Sequence, residues 1–345
     1  MLTAKQNMQE AIRGGSPERF VNQYEAVMLM FHPYIIHSNA LLQKGQTDIV
    51  NAWGVTNSFP ENTPGVFPIH TPDKIVVKDI EHWRDYVHAP SLKFSNEEWD
   101  MFKTQYDAVD GTQAYKATFV APGLFEQTHH LCEISNALMY YITNPDEMHD
   151  LINYITDWEL ELAEGICTHL KPDAVFHHDD WGSENSTFIS PDMFAEFFLE
   201  SYKKIYGYYH DHGVELVIHH SDSYAATLVP YMIEMGIDVW QGCMKSNNVP
   251  ELIKKYGGKI SFMGGIDNKL VDFPGWTQED CRTAVRNACD SCGSKYYIPC
   301  ITQGGPGSVF PDVYAALTEE IDKYSAEVFG IKESDITRLP LQILF

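Results

Sequence analysis

The sequence predicts an α/β fold, a (β/α)8 TIM barrel, and three observations carry that expectation. Short β-branched or aromatic runs alternate with amphipathic helices at a spacing that suits a parallel sheet with helical crossovers. The polar and Gly-rich clusters gather where those runs end, as the loops at the mouth of a barrel would. The chain of 345 residues is long enough for one barrel with insertions. We therefore expect a single domain over 1–345, with 40–110 as an insertion-like, irregular excursion near the mouth.

The expected strands are Arg19–Tyr24, Tyr115–Val120, Ala174–His177, Val214–His219, Ile237–Trp240, Lys259–Met263 and Tyr296–Pro299. An eighth is expected between Asp146 and the Ala174 run or within 40–110. The helix over Pro145–Leu170 follows from Met148, Leu151, Ile152, Ile155, Trp158, Leu162 and Ile166, which recur near a 3.6 period. Ser190-Pro191 supplies a cap and a first-turn proline for the next helix. Ala225–Met235 stops at Gly236, and Gln278–Cys292 and Pro311–Val328 complete the series. Segment 40–110 carries Trp53-Gly54, Pro60, Pro64-Gly65 and Pro68, which read as loop rather than as a second domain. The alternative, an open doubly wound sheet, lacks a G-x-G-x-x-G turn after its first strand.

Composition narrows the function. A net charge of −24 with no basic run repels phosphate backbones and anionic lipid, so neither nucleic acid nor a membrane is an expected partner. No apolar stretch is long enough to span a bilayer, and the N-terminus lacks a signal core. Seven cysteines without framework spacing suit a reducing, cytoplasmic setting.

The chemistry-bearing residues sit after the expected strands: Tyr24, His177-His178-Asp179-Asp180-Trp181, His219-His220-Ser221-Asp222 with Tyr224, Gln241, Asp267 and Cys300. Singly, each has an ordinary explanation. Asp222 and Asp267 could cap helices, Cys300 could be a small buried hydrophobe, and Glu200 could face solvent. Cys289-x-x-Cys292 lacks a partner pair. Together, His, Cys and carboxylates converging on one mouth point to a borderline divalent metal, zinc first, with Glu184 and Glu200 as further oxygen donors.

The order His178-Asp179-Asp180-Trp181-Gly182, Ser190-Pro191-Asp192-Met193-Phe194, His220-Ser221-Asp222 and Gly264-Gly265-Ile266-Asp267 resembles the uroporphyrinogen decarboxylase superfamily. The likeness runs from about residue 115 to 330, with a fainter match at Asp48–Gly54. Decarboxylases of that superfamily grip carboxylates with an Arg-rich N-terminal segment, and here the stretch offers only Arg19. The sequence is more similar to the corrinoid-dependent methyltransferase branch, above all to its O-demethylase group of the veratrol–corrinoid protein type. The thiol-methylating members bind zinc through His-x-Cys and a late Cys, for which this chain has His220-Ser221-Asp222 and Cys300. The Glu/Glu/His zinc motif proposed for the O-demethylase group falls on Glu184, Glu200 and His220.

The resemblance thus implies transfer of a methyl group from an aryl methyl ether to the Co(I) centre of a separate corrinoid protein. Zn2+ would be held by His220, Cys300, Glu184 and Glu200. Asp180 and Asp222 are the catalytic candidates, and Tyr24, His178, Trp181, Tyr224 and Gln241 the substrate-binding ones. The chain has no Asp-x-His-x-x-Gly cobalamin motif, so the corrinoid is expected to arrive on its partner. Rival readings are a methyltransferase using a thiol or methylamine, a metal-free decarboxylase, and a non-catalytic binding protein.

Overall fold

In the computed structural model, which describes residues 1–340 other than Pro64, seven parallel strands follow one another around a curled, TIM-barrel-like sheet. They are β1 (Val27–Met30), β2 (Tyr115–Val120), β3 (Ala174–His178), β4 (Leu216–His220), β5 (Val239–Cys243), β6 (Ser261–Ile266) and β7 (Tyr297–Ile301). Spatial order equals chain order, and every neighbouring pair is parallel. The strands read as near-continuous apolar runs because helices cover the outside and side chains fill the inside.

Two expectations about strands need correction. Arg19–Tyr24 is not a strand: Gln23 takes a positive φ of 51°, which breaks extension, and Glu25 N bonds back to Asn22 O at 3.0 Å. The first strand starts at Val27, three residues beyond the end of the expected run. The turn does help to join the ends of the sheet, since Gln23 N donates to Pro299 O of β7 at 3.1 Å. Nor is there an eighth strand at the expected places among the described residues. Residues Pro145–His169 are one helix, and the strands within 40–110 (Ile49–Val50, Thr56–Ser58, Phe67–Pro68) form a separate antiparallel sheet.

That excursion packs on the flank of the Pro145–His169 helix, where Trp53 meets Trp158 edge-on at 5.1 Å and Trp83 meets Tyr154 at 5.3 Å. It also reaches the mouth, where His70 Nε2 lies 2.9 Å from His130 O. The opposite end is closed by the helix Ala4–Ile12, whose Lys5 ammonium sits over the Tyr115 ring and pairs with Asp173 at 3.6 Å.

The helices form as their signals dictate. Ser190 Oγ accepts from Met193 N with Pro191 in the first turn, and Gly236 ends Val229–Met235 in the left-handed region at φ 85°. No described helix is long and apolar enough to cross a membrane. All seven cysteines are free.

Candidate functional site

The site begins with the two-residue period of a strand. In the doublets His177-His178 and His219-His220, successive side chains must point to opposite faces of the sheet. Register pairs His177 with His219 and His178 with His220, and pairs His220 in turn with Gln241. One row therefore faces the outer helices and the other faces the barrel interior at its mouth.

The outward row is structural. His177 Nε2 lies 2.5 Å from Glu159 Oε1 on the Pro145–His169 helix, and the Tyr206 hydroxyl sits between His177 Nδ1 and His219 Nδ1 at 3.2 and 2.9 Å. Trp181 stacks on His219 at 3.9 Å and is itself buried. Trp181 was expected at the substrate, and its indole instead donates at 2.8 Å to Asp179.

Asp179 is the anchor of the mouth. Its fully buried carboxylate accepts from Phe125 N at 3.0 Å, Glu126 N at 2.7 Å, Trp181 Nε1 and the Tyr202 hydroxyl. Burial pushes its pKa above the usual carboxylate range, against the pull of these donors. It thereby caps the helix Leu124–Cys132 and fixes where Glu126 stands. Gly123 is needed at the start of that helix, because a Cβ there would lie 2.5 Å from the Cβ of Asp179.

The inward row holds a candidate metal-donor group. His178, Asp180 and His220 each bring one donor atom within 4.8 Å of the others, with His220 Nε2 3.9 Å from Asp180 Oδ1 and the two imidazoles stacked at 4.4 Å. Each ring is oriented from behind. His220 Nδ1 bonds the Gln241 side chain, and His178 Nδ1 lies 2.9 Å from Glu126 Oε2. Both rings thus keep Nε2 as the uncommitted nitrogen, the arrangement by which metal-binding histidines are held. Burial lowers His220 to about 4, so its imidazole is neutral at physiological pH and its lone pair is available. For His178, burial pulls downward, but the carboxylates of Glu126 and Asp180 outweigh it and raise the ring to about 10. A cation placed among these donors would displace the ring's proton, as metals do at such sites. Two imidazoles and a carboxylate fit zinc.

Asp222 stands beside this group. Its main-chain N–H donates to Asp180 Oδ1 at 2.9 Å, and burial, then the neighbouring Asp180 charge, raises its own carboxyl to about 9. It is a neutral acid at pH 7. Asp222 also lines a cavity of about 360 Å³ formed with Glu184, Met244, Lys245, Asn268, Lys269 and Gln303 among others. That cavity is polar, with no aromatic ring in its lining. The aromatic rings lie deeper, with Phe176 at 6.0 Å from His220 and at 6.1 Å from Tyr24.

The other expected site residues are distributed as follows. Cys300 is buried in β7, its thiol pushed well above the usual range by burial and held by Gln241, so it stands behind the glutamine that orients His220. Tyr24 is buried nearby and donates to Gly304 O at 3.3 Å. Tyr224 is half-buried, and its main-chain N–H bonds Ser183 O at 2.7 Å. Glu184 reaches the cavity but pairs with Lys269. Glu200 lies on the outer helix Glu200–Asp211, 73% exposed and bonded to Lys203 at 2.8 Å. Neither Glu184, Glu200 nor Cys300 belongs to the donor group around His220.

Sequence reasoning missed Glu126, His129 and His130. Their donor atoms also gather within 4.8 Å, and the signal was available as Glu-x-x-His-His on a helical pattern. Cys289 is buried in the helix Gln278–Cys292 with no such cluster among the described residues.

Barrel and site thus define a TIM-barrel-like protein with a metal-type donor group at the C-terminal strand ends. The family model of uroporphyrinogen decarboxylase (URO-D) matches residues 49–324, and the chain belongs to that family. No curated protein matches the sequence. Among solved structures, a methyltransferase from Methanosarcina mazei is similar with a TM-score of 0.64 at 14% identity, covering 94% of this chain and 99% of that one. D-psicose 3-epimerase with D-tagatose, from Clostridium cellulolyticum H10, aligns at a TM-score of 0.39 and 11% identity, over 68% of this chain and 85% of that one.

Proposed function

We propose that this chain is a zinc-dependent methyltransferase that takes a methyl group from an aryl methyl ether and passes it to the Co(I) centre of a corrinoid protein docking at the barrel mouth. The observation that carries the reading is the group His178, Asp180 and His220 with the neutral acid Asp222 beside it. Of the ligands the resemblance implies, this proposal keeps His220 and replaces Cys300, Glu184 and Glu200 by His178 and Asp180.

An aryl ether is inert because phenolate leaves poorly. Bound zinc would supply Lewis-acid polarisation of the ether oxygen. The protein's own residues do the rest. His178 and His220 are held by Glu126 and Gln241 in fixed orientations. As the methyl carbon–oxygen bond breaks, its electron pair stays on oxygen, and Asp222 delivers its proton there. The methyl group leaves for the acceptor, whose electron pair makes the new bond. The polar cavity beside Asp222 favours a ring carrying hydroxyl or carboxyl substituents that Lys245, Asn268 and Gln303 would meet.

The fate of the arginines weighs against the decarboxylase reading. Arg13, Arg19, Arg84, Arg282, Arg286 and Arg338, which are all the arginines of the chain, pair with Glu215, Glu25, Asp150, Glu279 and Glu320, Glu327, and Asp322 respectively. None of them lines the cavity beside Asp222.

The test is methyl transfer to a Co(I) corrinoid protein from substituted aryl ethers, methylamines and methylthiols in parallel. Activity with an ether supports the proposal. Activity confined to amines or thiols transfers it to the rival methyl donors, and carbon dioxide release without metal would replace it with decarboxylation.

A further inference from the structure

Among the described residues, His, Cys and carboxylate side chains gather at metal-ligand spacing in two places, and the reading above uses only one of them. The second is on the helix Leu124–Cys132. Glu126, His129 and His130 stand at i, i+3 and i+4, so the helix presents them on one side. Their donor atoms lie within 4.8 Å of one another. The two imidazoles meet edge-on at 4.8 Å, and the His129 ring also touches Phe125 at 5.3 Å. Neither ring hydrogen-bonds to another described residue, although both are half-buried. Their ring nitrogens stay open to solvent and so are free to ligate a cation.

We infer that Glu126, His129 and His130 form a second divalent-cation site, of zinc-like preference, beside the site of His178, Asp180 and His220. The inference builds on the metal reading of that first site. Two imidazoles and one glutamate are a donor set that zinc enzymes use with a position left open for water or substrate. The two sites are joined through Glu126. One of its oxygens lies 2.9 Å from His178 Nδ1, and a carboxylate has a second oxygen to offer. The helix is held for this task from both ends. Asp179 fixes its first turn through Phe125 N and Glu126 N, and His70 from the 40–110 excursion bonds His130 O at its last turn. The excursion therefore helps to position metal donors rather than merely flanking the barrel.

The experiment is Zn2+ titration of the metal-stripped full chain against a chelating dye, repeated with Co2+ and its visible absorption. Wild type should take up two equivalents. The double variant His129→Gln/His130→Gln should take up one, as should His220→Ala, and the two variants should lose different Co2+ bands. Circular dichroism checks folding, and if the double variant does not fold, His130→Gln alone is measured the same way. Uptake by the double variant equal to wild type overturns the inference while leaving the methyltransferase reading intact. One equivalent in wild type that both variants lose also overturns it, in favour of a single shared cation. No uptake by wild type removes both sites together.

Discussion

Replacing Asp179 by alanine should unsettle the barrel mouth more than any change to a residue that touches substrate. Four donors converge on its buried carboxylate: Phe125 N, Glu126 N, Trp181 Nε1 and the Tyr202 hydroxyl. A buried donor left without a partner costs about 1–3 kcal/mol. Taking the low end for each, because water can enter the space vacated, gives a loss of about 4 kcal/mol, of which the helix cap alone accounts for roughly 0.5–2. That is a change of about a thousandfold in the folding equilibrium. Asp179→Asn keeps one acceptor oxygen and should lose roughly half as much. The assay is urea denaturation followed by tryptophan fluorescence and circular dichroism, with a metal titration on the surviving native protein. Since Asp179 places Glu126, and Glu126 orients His178, metal affinity should fall about 10–100-fold, the usual effect of losing such outer support. A loss of stability under about 1 kcal/mol for Asp179→Ala would refute the reasoning, because the four donors would then have found other partners.

Three further outcomes are expected. Asp222→Asn should reduce methyl transfer by about 10²–10⁴ at neutral pH with metal content unchanged; an undiminished rate in that variant excludes Asp222 as donor. His220→Ala and Asp180→Asn should lower metal content, whereas Glu200→Gln should not, since its carboxylate sits outside on Lys203; metal analysis of the purified variants decides. Burial holds His32 neutral down to about 4 in the folded chain, while the unfolded chain takes up its proton near pH 6.5. The unfolded state therefore binds more protons below that pH, and stability must fall as pH drops from about 6.5 towards 4. His32→Gln should lose about 2 kcal/mol less than wild type between pH 7 and 5, by denaturant melts at each pH.

Much of the scaffold was legible in the sequence because it rests on local chemistry. The helix Pro145–His169 follows from its apolar spacing, the cap at Ser190 from its hydroxyl and proline, and the stop at Gly236 from its left-handed backbone. The strands β2 to β7 were placed within three residues of where they lie. The clusters at their ends were also readable as a candidate site, since barrel geometry brings those ends together.

Other features depend on contacts between residues far apart in the chain. Arg19–Tyr24 carries the right residue types for a strand, yet Gln23 turns left-handed and Glu25 is drawn into an ion pair with Arg19. Glu200 has a plausible spacing for a ligand, but spacing along a chain does not say which side of a helix faces the barrel. Glu126, His129 and His130 become a donor group only because Asp179, dozens of residues away, fixes the helix that carries them.

The histidine doublets mark the division most clearly. The sequence alone determined that one member of each pair points in and the other out, because a strand alternates its side chains. Which member is which depended on register, and register is set by the whole sheet. Only the folded chain could commit His178 and His220 to the mouth and leave His177 and His219 to hold the helices behind it.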